Sequence, residues 1–150
     1  MLRSIPPPLW AALFLAFTYW LGMVLPFAQD LPEWRHKPAG AILIAAALAL
    51  LFASMGHFFF AKTQLLPTSP VNNKLVTGGV FALTRNPMYL AMTLVSLGVA
   101  VWMGQPLMYM APLGMFVVAN WIFIPFEEEK MRRQFGDAFD AYCKRVRRWI

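Results

Sequence analysis

The chain has 150 residues, a one-domain length, of which 59% are apolar and only 13% charged, with a net charge of +6. Typical soluble domains are roughly 25% charged, and the clustering of charge here leaves three long uncharged stretches, so a soluble globule is excluded in favour of an integral membrane protein. A single cysteine, Cys143, excludes an internal disulfide and a paired-cysteine metal site. The basic excess lacks aromatic interleaving and suits anionic lipid headgroups rather than nucleic acid.

The first uncharged stretch runs from Ile5 to Ala28 and predicts a span over about 8–27, entered through Pro6-Pro7-Pro8. It is too long for a cleaved signal peptide, and Pro26-Phe27-Ala28 is a poor cleavage site. The second, Ala39 to Ala61, predicts a span over about 39–61 whose only titratable group is His57. With no second His, Cys or acid at ligand spacing, His57 reads as a packing histidine and no metal is expected. Residues 62–87 form a loop rich in Pro, Asn, Thr and Gly, in which Gly78-Gly79 serves either as a plain turn or as a close approach to a ligand.

From Asn86 to Phe126 there are 41 residues without a charge. As one helix they would extend roughly 60 Å, about twice a bilayer's hydrocarbon core. The run must therefore fold back, and Gly104-Gln105-Pro106 marks the place, giving spans over about 88–103 and 107–126. The hairpin brings Arg85-Asn86-Pro87-Met88-Tyr89 to the same surface as Glu127-Glu128-Glu129.

From 127 to 149, Met131, Phe135, Phe139, Tyr142, Val146 and Trp149 recur at helical spacing, behind an acidic start and before a basic end. This predicts an amphipathic helix on the inner membrane surface, bent at Gly136, that caps the bundle. The expected fold is all-α: one membrane domain over 1–150, about four transmembrane helices and a C-terminal interfacial helix. Four spans place both termini and the 62–87 loop on one side with eleven basic residues, against two on the other. That asymmetry makes the rich side cytoplasmic, with the bundle in the inner membrane.

Each motif also has a purely structural explanation. Asn86 is a good helix cap, Pro87 suits a first turn, and Arg85 and Tyr89 suit a membrane interface. Glu128 and Glu129 stand four residues before Arg132 and Arg133, so both could be surface helix pairs. A chemical role requires a carboxylate facing the bundle. Three consecutive glutamates make that plausible, since they cannot share one face. No phosphate loop, Ser-His-Asp set or paired HxxxH occurs.

Taken together, the segments Leu75–Leu90, Pro125–Glu128 and Phe135–Trp149 resemble the isoprenylcysteine carboxyl methyltransferase and phospholipid methyltransferase superfamily, over about residues 62–150. That resemblance implies a helical bundle that binds S-adenosylmethionine without a Rossmann sheet. The cofactor-binding residues it implies are Asn73, Lys74, Leu75, Val76, Phe81, Asn86, Pro87, Met88, Tyr89 and one of Glu127 and Glu128. It implies Arg85, Glu127 and Glu128 as catalytic residues, and a lipophilic small-molecule or lipid-linked acceptor taken from the membrane. Asn86 stands where the family usually has His. The Arg that prenylcysteine-methylating members carry one helical turn before the Glu pair is absent from Trp121-Ile-Phe-Ile, which counts against that substrate. Two other readings stay open: a non-catalytic membrane binding or assembly module, and a nicotinamide-dependent membrane reductase.

Overall fold

The computed structural model describes residues 5–61 and 74–150, and within them all regular structure is helical. Helix α1 covers Pro7–Val24 and starts on a proline, whose missing N–H is not needed in a first turn. A single turn, α2 (Pro26–Gln29), follows, and then α3 (Lys37–Phe60), whose first turn is capped by His36 Nδ1 accepting from Ala39 N at 3.1 Å. Helix α4 covers Pro87–Met103. A short 3-10 turn (Pro106–Tyr109) leads into α5 (Met110–Val118), a π-helical turn (Ala119–Phe123) and α6 (Ile124–Phe135); α7 (Asp137–Arg145) completes the chain.

Three helical runs are long and apolar enough to cross a membrane: Pro7–Val24, Lys37–Phe60 and the continuous Pro106–Phe135. The fourth apolar helix, α4, has 17 residues, about 26 Å at the usual rise. Large apolar side chains such as Leu13, Phe17, Trp20, Ile42 and Phe52 point outward, as expected where lipid replaces water. Hydroxyls inside the helices are satisfied locally: Thr18 donates to Phe14 O, Ser54 to Leu50 O and Ser96 to Met92 O.

Helix α4 is the centre of the bundle. It packs along α3 most extensively, and also against α1 and α5. Gly40 and Gly98 let α3 and α4 approach closely, since a Cβ on Gly40 would stand 2.7 Å from Trp102 N and 2.8 Å from Gly98 O. Without a hydrophobic drive between helices in lipid, such close backbone packing is what holds them.

The hairpin turn lies where the sequence indicates. Gly104 ends α4 in the left-handed region (φ 79°) and presses against Arg35, leaving no room for a side chain. The α2–α3 connection covers this end of α4: Trp34 N donates to Gly104 O, His36 N to Val101 O and Arg35 Nε to Met103 O. These bonds satisfy carbonyls that a helix end would otherwise leave open.

The C-terminal third differs from the expectation of one helix over 127–149. The helix of the last apolar stretch continues past Phe126 to Phe135, because the π turn just before it absorbs Pro125 without a break. It then stops at Gly136 (φ 49°). Helix α7 follows, and Val146 ends it in extended backbone (φ −123°, ψ 132°). Most of the predicted apolar face survives the break: Phe139, Tyr142 and Val146 are buried with Met131 and Phe135, and Leu75 joins them. Trp149 leaves this face and packs instead on the central core of Tyr89, Met115 and Phe123.

Candidate functional site

The open ends of α4 and α6 converge on two side-chain contacts. Arg85 Nη2 donates to Glu128 Oε1 at 2.8 Å, and Tyr89 Oη donates to Glu127 Oε1 at 2.7 Å. Consecutive glutamates thus both point into the bundle, on neighbouring faces of α6. Only Glu129 forms the surface pair expected of it, with Arg133 Nε at 2.8 Å; Glu128 does not pair with Arg132. Tyr89 is buried, with its ring stacked on Phe123 at 5.9 Å.

Glu128 is the hub of an ion cluster. Its second oxygen accepts from Arg148 Nη2 at 2.6 Å, and Arg148 Nε reaches Oε1 at 3.2 Å. Arg85 also donates through Nη1 to the carbonyls of Cys143 and Val146, each at 3.0 Å. Both carboxylate oxygens of Glu128 are therefore engaged by guanidinium groups, whereas the Glu127 carboxylate bonds to a neutral phenol. Arg85 works here as a brace between α4, α6 and α7. Asn86 precedes α4 but does not cap it through its side chain; Nδ2 donates to Arg148 O at 2.9 Å instead.

A cavity of about 430 Å³ opens beside these contacts. Among its lining residues are Lys74, Leu75, Val76, Phe81, Arg85, Asn86, Pro87, Met88, Tyr89, Glu127 and Glu128, which is every described residue singled out from the sequence. Asn73 lies outside the described residues. The cavity's polar groups are Lys74, Arg85, Asn86, Tyr89, Glu127, Glu128, Lys130 and Tyr142. The other walls are apolar: Pro6, Pro7 and Pro8 at the start of α1, Leu51, Met55 and Phe58 on α3, and Met92 on α4. Helices α1 and α3 both pack on α4 but make little contact with one another.

The 3-10 turn Gly79–Ala82 places Phe81 at the cavity wall. Gly79 has φ 59° and lies against the His57 ring, so this glycine serves both as turn and as close approach, though to a side chain of α3. His57 Nδ1 bonds Ala53 O at 2.8 Å and its ring meets Phe81 edge-on, in keeping with a packing role. Tyr142 of α7 fixes the turn by donating to Phe81 O at 2.6 Å. Burial pushes the Tyr142 hydroxyl well above the usual phenol range, so it remains a donor.

Several contributors escaped the sequence reading. Tyr142 and Phe139 line the cavity although they read only as one face of an interfacial helix. Arg148 reads as one charge in a basic run, and nothing in its spacing points to Glu128. The triple proline and the α3 residues come to the cavity only through packing. A paired acid left over between two basic clusters is the one signal that could have pointed to the hub.

Fold and site together define an integral membrane protein, helical throughout its described residues, with a cavity lined by both charged and apolar side chains. The matching family model is that of the phospholipid methyltransferases, over residues 37–138, and the chain belongs to this family. Protein-S-isoprenylcysteine O-methyltransferase B of Arabidopsis thaliana is 34% identical over 111 residues, covering 71% of this chain and 51% of that protein. A probable protein-S-isoprenylcysteine O-methyltransferase of Oryza sativa subsp. indica is 33% identical over 78 residues, 49% of this chain and 39% of that protein. An uncharacterized protein of Haemophilus influenzae is matched over its full length, 33% identical over 63 residues and 42% of this chain. The chain thus spans about half or less of the length of the plant relatives. No solved structure matches.

Proposed function

We propose that this protein transfers a methyl group from S-adenosylmethionine to a lipophilic acceptor at the cytoplasmic face of the inner membrane, with four helices crossing and both termini cytoplasmic. The observation that carries this reading is the convergence of the motif residues of α4, the glutamates of α6 and the 74–82 segment on one cavity.

The residues present suit such a cofactor. Glu127 can accept from ribose hydroxyls or an ammonium, Phe81 and Phe58 offer aromatic faces, and Lys74 lines the same wall. The volume lies in the range of roughly 300–1,000 Å³ usual for small-molecule sites. When bound, the cofactor supplies a methyl group already activated by its sulfonium. The chain's own contribution is therefore alignment and exclusion of water. Tyr89 orients Glu127 through its hydroxyl, Glu128 and Arg85 hold the α4 and α6 ends in register, and the apolar walls keep water out.

The acceptor enters from the bilayer through the gap between α1 and α3 and lies along Leu51, Met55 and Met92. One helical turn before Glu127 stands Phe123, fully buried against Tyr89. The guanidinium that does line the cavity, Arg85, is held by Glu128 and two carbonyls, which leaves it less free to bind a carboxylate acceptor and favours a thiol or an amine. For an amine, Glu127 stands ready to take the proton that must leave.

Calorimetric titration of the detergent-purified protein with S-adenosylhomocysteine tests the reading. Saturable binding that Glu127→Gln abolishes is expected. Absence of binding in folded wild-type protein would refute the cofactor and favour a non-catalytic module, whereas binding of a nicotinamide cofactor would favour a reductase.

A further inference from the structure

The two arms of the candidate site meet through side chains at their ends, where Arg85 donates to Glu128, Tyr89 donates to Glu127 and the Tyr89 ring stacks on Phe123. Their backbones come close at few positions, and the cavity is lined from both. The residues that follow α7 bond to both arms as well. On the α4 side, Arg85 N donates to Arg147 O at 3.0 Å, Thr84 Oγ1 to Arg148 O at 3.2 Å, and Asn86 Nδ2 to the same oxygen at 2.9 Å. On the α6 side, the Arg148 guanidinium grips Glu128. Beyond it, Trp149 Nε1 donates to Asn120 Oδ1 at 3.0 Å, and its ring packs on Phe116 at 4.8 Å.

Asn120 lies in the π-helical turn Ala119–Phe123. A π turn holds an extra residue and rotates everything after it relative to a plain helix. The direction of Glu127 and Glu128 therefore depends on this turn keeping its width. Asn120 is a polar side chain in an apolar helix, and Trp149 is the partner that satisfies it.

We propose that Val146–Trp149 is a strap that sets the spacing of the two arms, with Arg148 and Trp149 as positioning residues: Arg148 acts through Glu128 and Trp149 through Asn120. The proposal rests on the methyltransferase reading only for what the site binds. The strap's bonds themselves do not depend on it.

The test reads spacing and binding separately. In a Cys143→Ser background, spin labels at Leu83→Cys and Arg133→Cys, both exposed positions, report the distance between the arms in the detergent-purified full chain. A single narrow distribution is expected, and it should broaden in Arg148→Gln and in Trp149→Phe, which keeps an aromatic ring of smaller size and deletes the donor. Arg148→Lys, which keeps the charge, should restore part of the narrow population. In parallel, S-adenosylhomocysteine affinity should fall about tenfold or more in the same two variants, as misplacement of a site's groups commonly costs. Unchanged distance distributions in folded variants overturn the strap's role, whatever the affinities do. If wild-type protein fails to bind S-adenosylhomocysteine, the cofactor reading falls, while the label distances still decide the strap.

Discussion

Replacing Glu128 by glutamine separates the two glutamates by what each does. The Glu128 carboxylate takes one guanidinium bond from Arg85 at 2.8 Å and two from Arg148, at 2.6 and 3.2 Å. Arg85 and Glu128 each expose only 14% of their side chains, so that bond has the strength of a partly buried charged pair, about 2 kcal/mol. The Arg148 side chain is 35% exposed, and solvent screening reduces its share to about 1 kcal/mol. Glu128→Gln should therefore lower unfolding free energy by about 3 kcal/mol, part of it from leaving Arg85 buried without its countercharge. Glu127→Gln, which disturbs a bond to a neutral phenol, should lower it by about 1 kcal/mol or less. Chemical unfolding of both variants in a mild detergent, followed by tryptophan fluorescence, measures the difference. Equal losses, or a loss below about 0.5 kcal/mol for Glu128→Gln, would refute the assignment of Glu128 as the structural hub.

Tyr89→Phe keeps the ring on Phe123 but removes the donor that orients Glu127, so S-adenosylhomocysteine affinity should fall about tenfold while stability changes by about 1 kcal/mol; calorimetry and thermal unfolding check the two halves. Gly40→Val forces a side chain against the backbone of Trp102 and Gly98 and should destabilise by about 2–3 kcal/mol, seen as a lower melting temperature. Burial raises the Cys143 thiol pKa, opposed by the Arg85 cation. Less thiolate is then present at pH 7 than in a free thiol, so maleimide labelling should be slower than that of free cysteine and should catch up only as pH rises above about 8.5. Labelling at the free-thiol rate at pH 7 would contradict this burial. Tyr142→Phe leaves Phe81 O without its donor and should cost about 1–2 kcal/mol, with faster amide exchange through residues 79–84.

Much of this was legible in the sequence because membrane spans obey a few strong constraints. A 41-residue uncharged run cannot be one crossing, and Gly104 before Pro106 is one of the few ways to turn it. From that hairpin the meeting of Arg85 with the Glu pair follows by geometry alone. The helical periodicity of Phe135, Phe139 and Tyr142 likewise persists because burial requires it, even across the break at Gly136.

Other features depended on distances that no periodicity encodes. Glu128 to Arg132 is a legitimate helix pair by spacing, yet Arg85 and Arg148 take both oxygens because they meet Glu128 where solvent is scarce and a paired carboxylate gains most. The C-terminal basic run reads as a helix end beside lipid headgroups. In the fold the helix ends at Arg145, and the carbonyls of Arg147 and Arg148 beyond it serve Thr84, Arg85 and Asn86 instead of a helix. By itself the sequence determined the apolar helices, their hairpin and the identity of the residues at its mouth, since one-dimensional hydrophobicity is what lipid reads. Only the tertiary structure decided which glutamate is held by two arginines and which accepts from Tyr89, since neighbouring residues with the same chemistry differ only in the partners that packing brings to them.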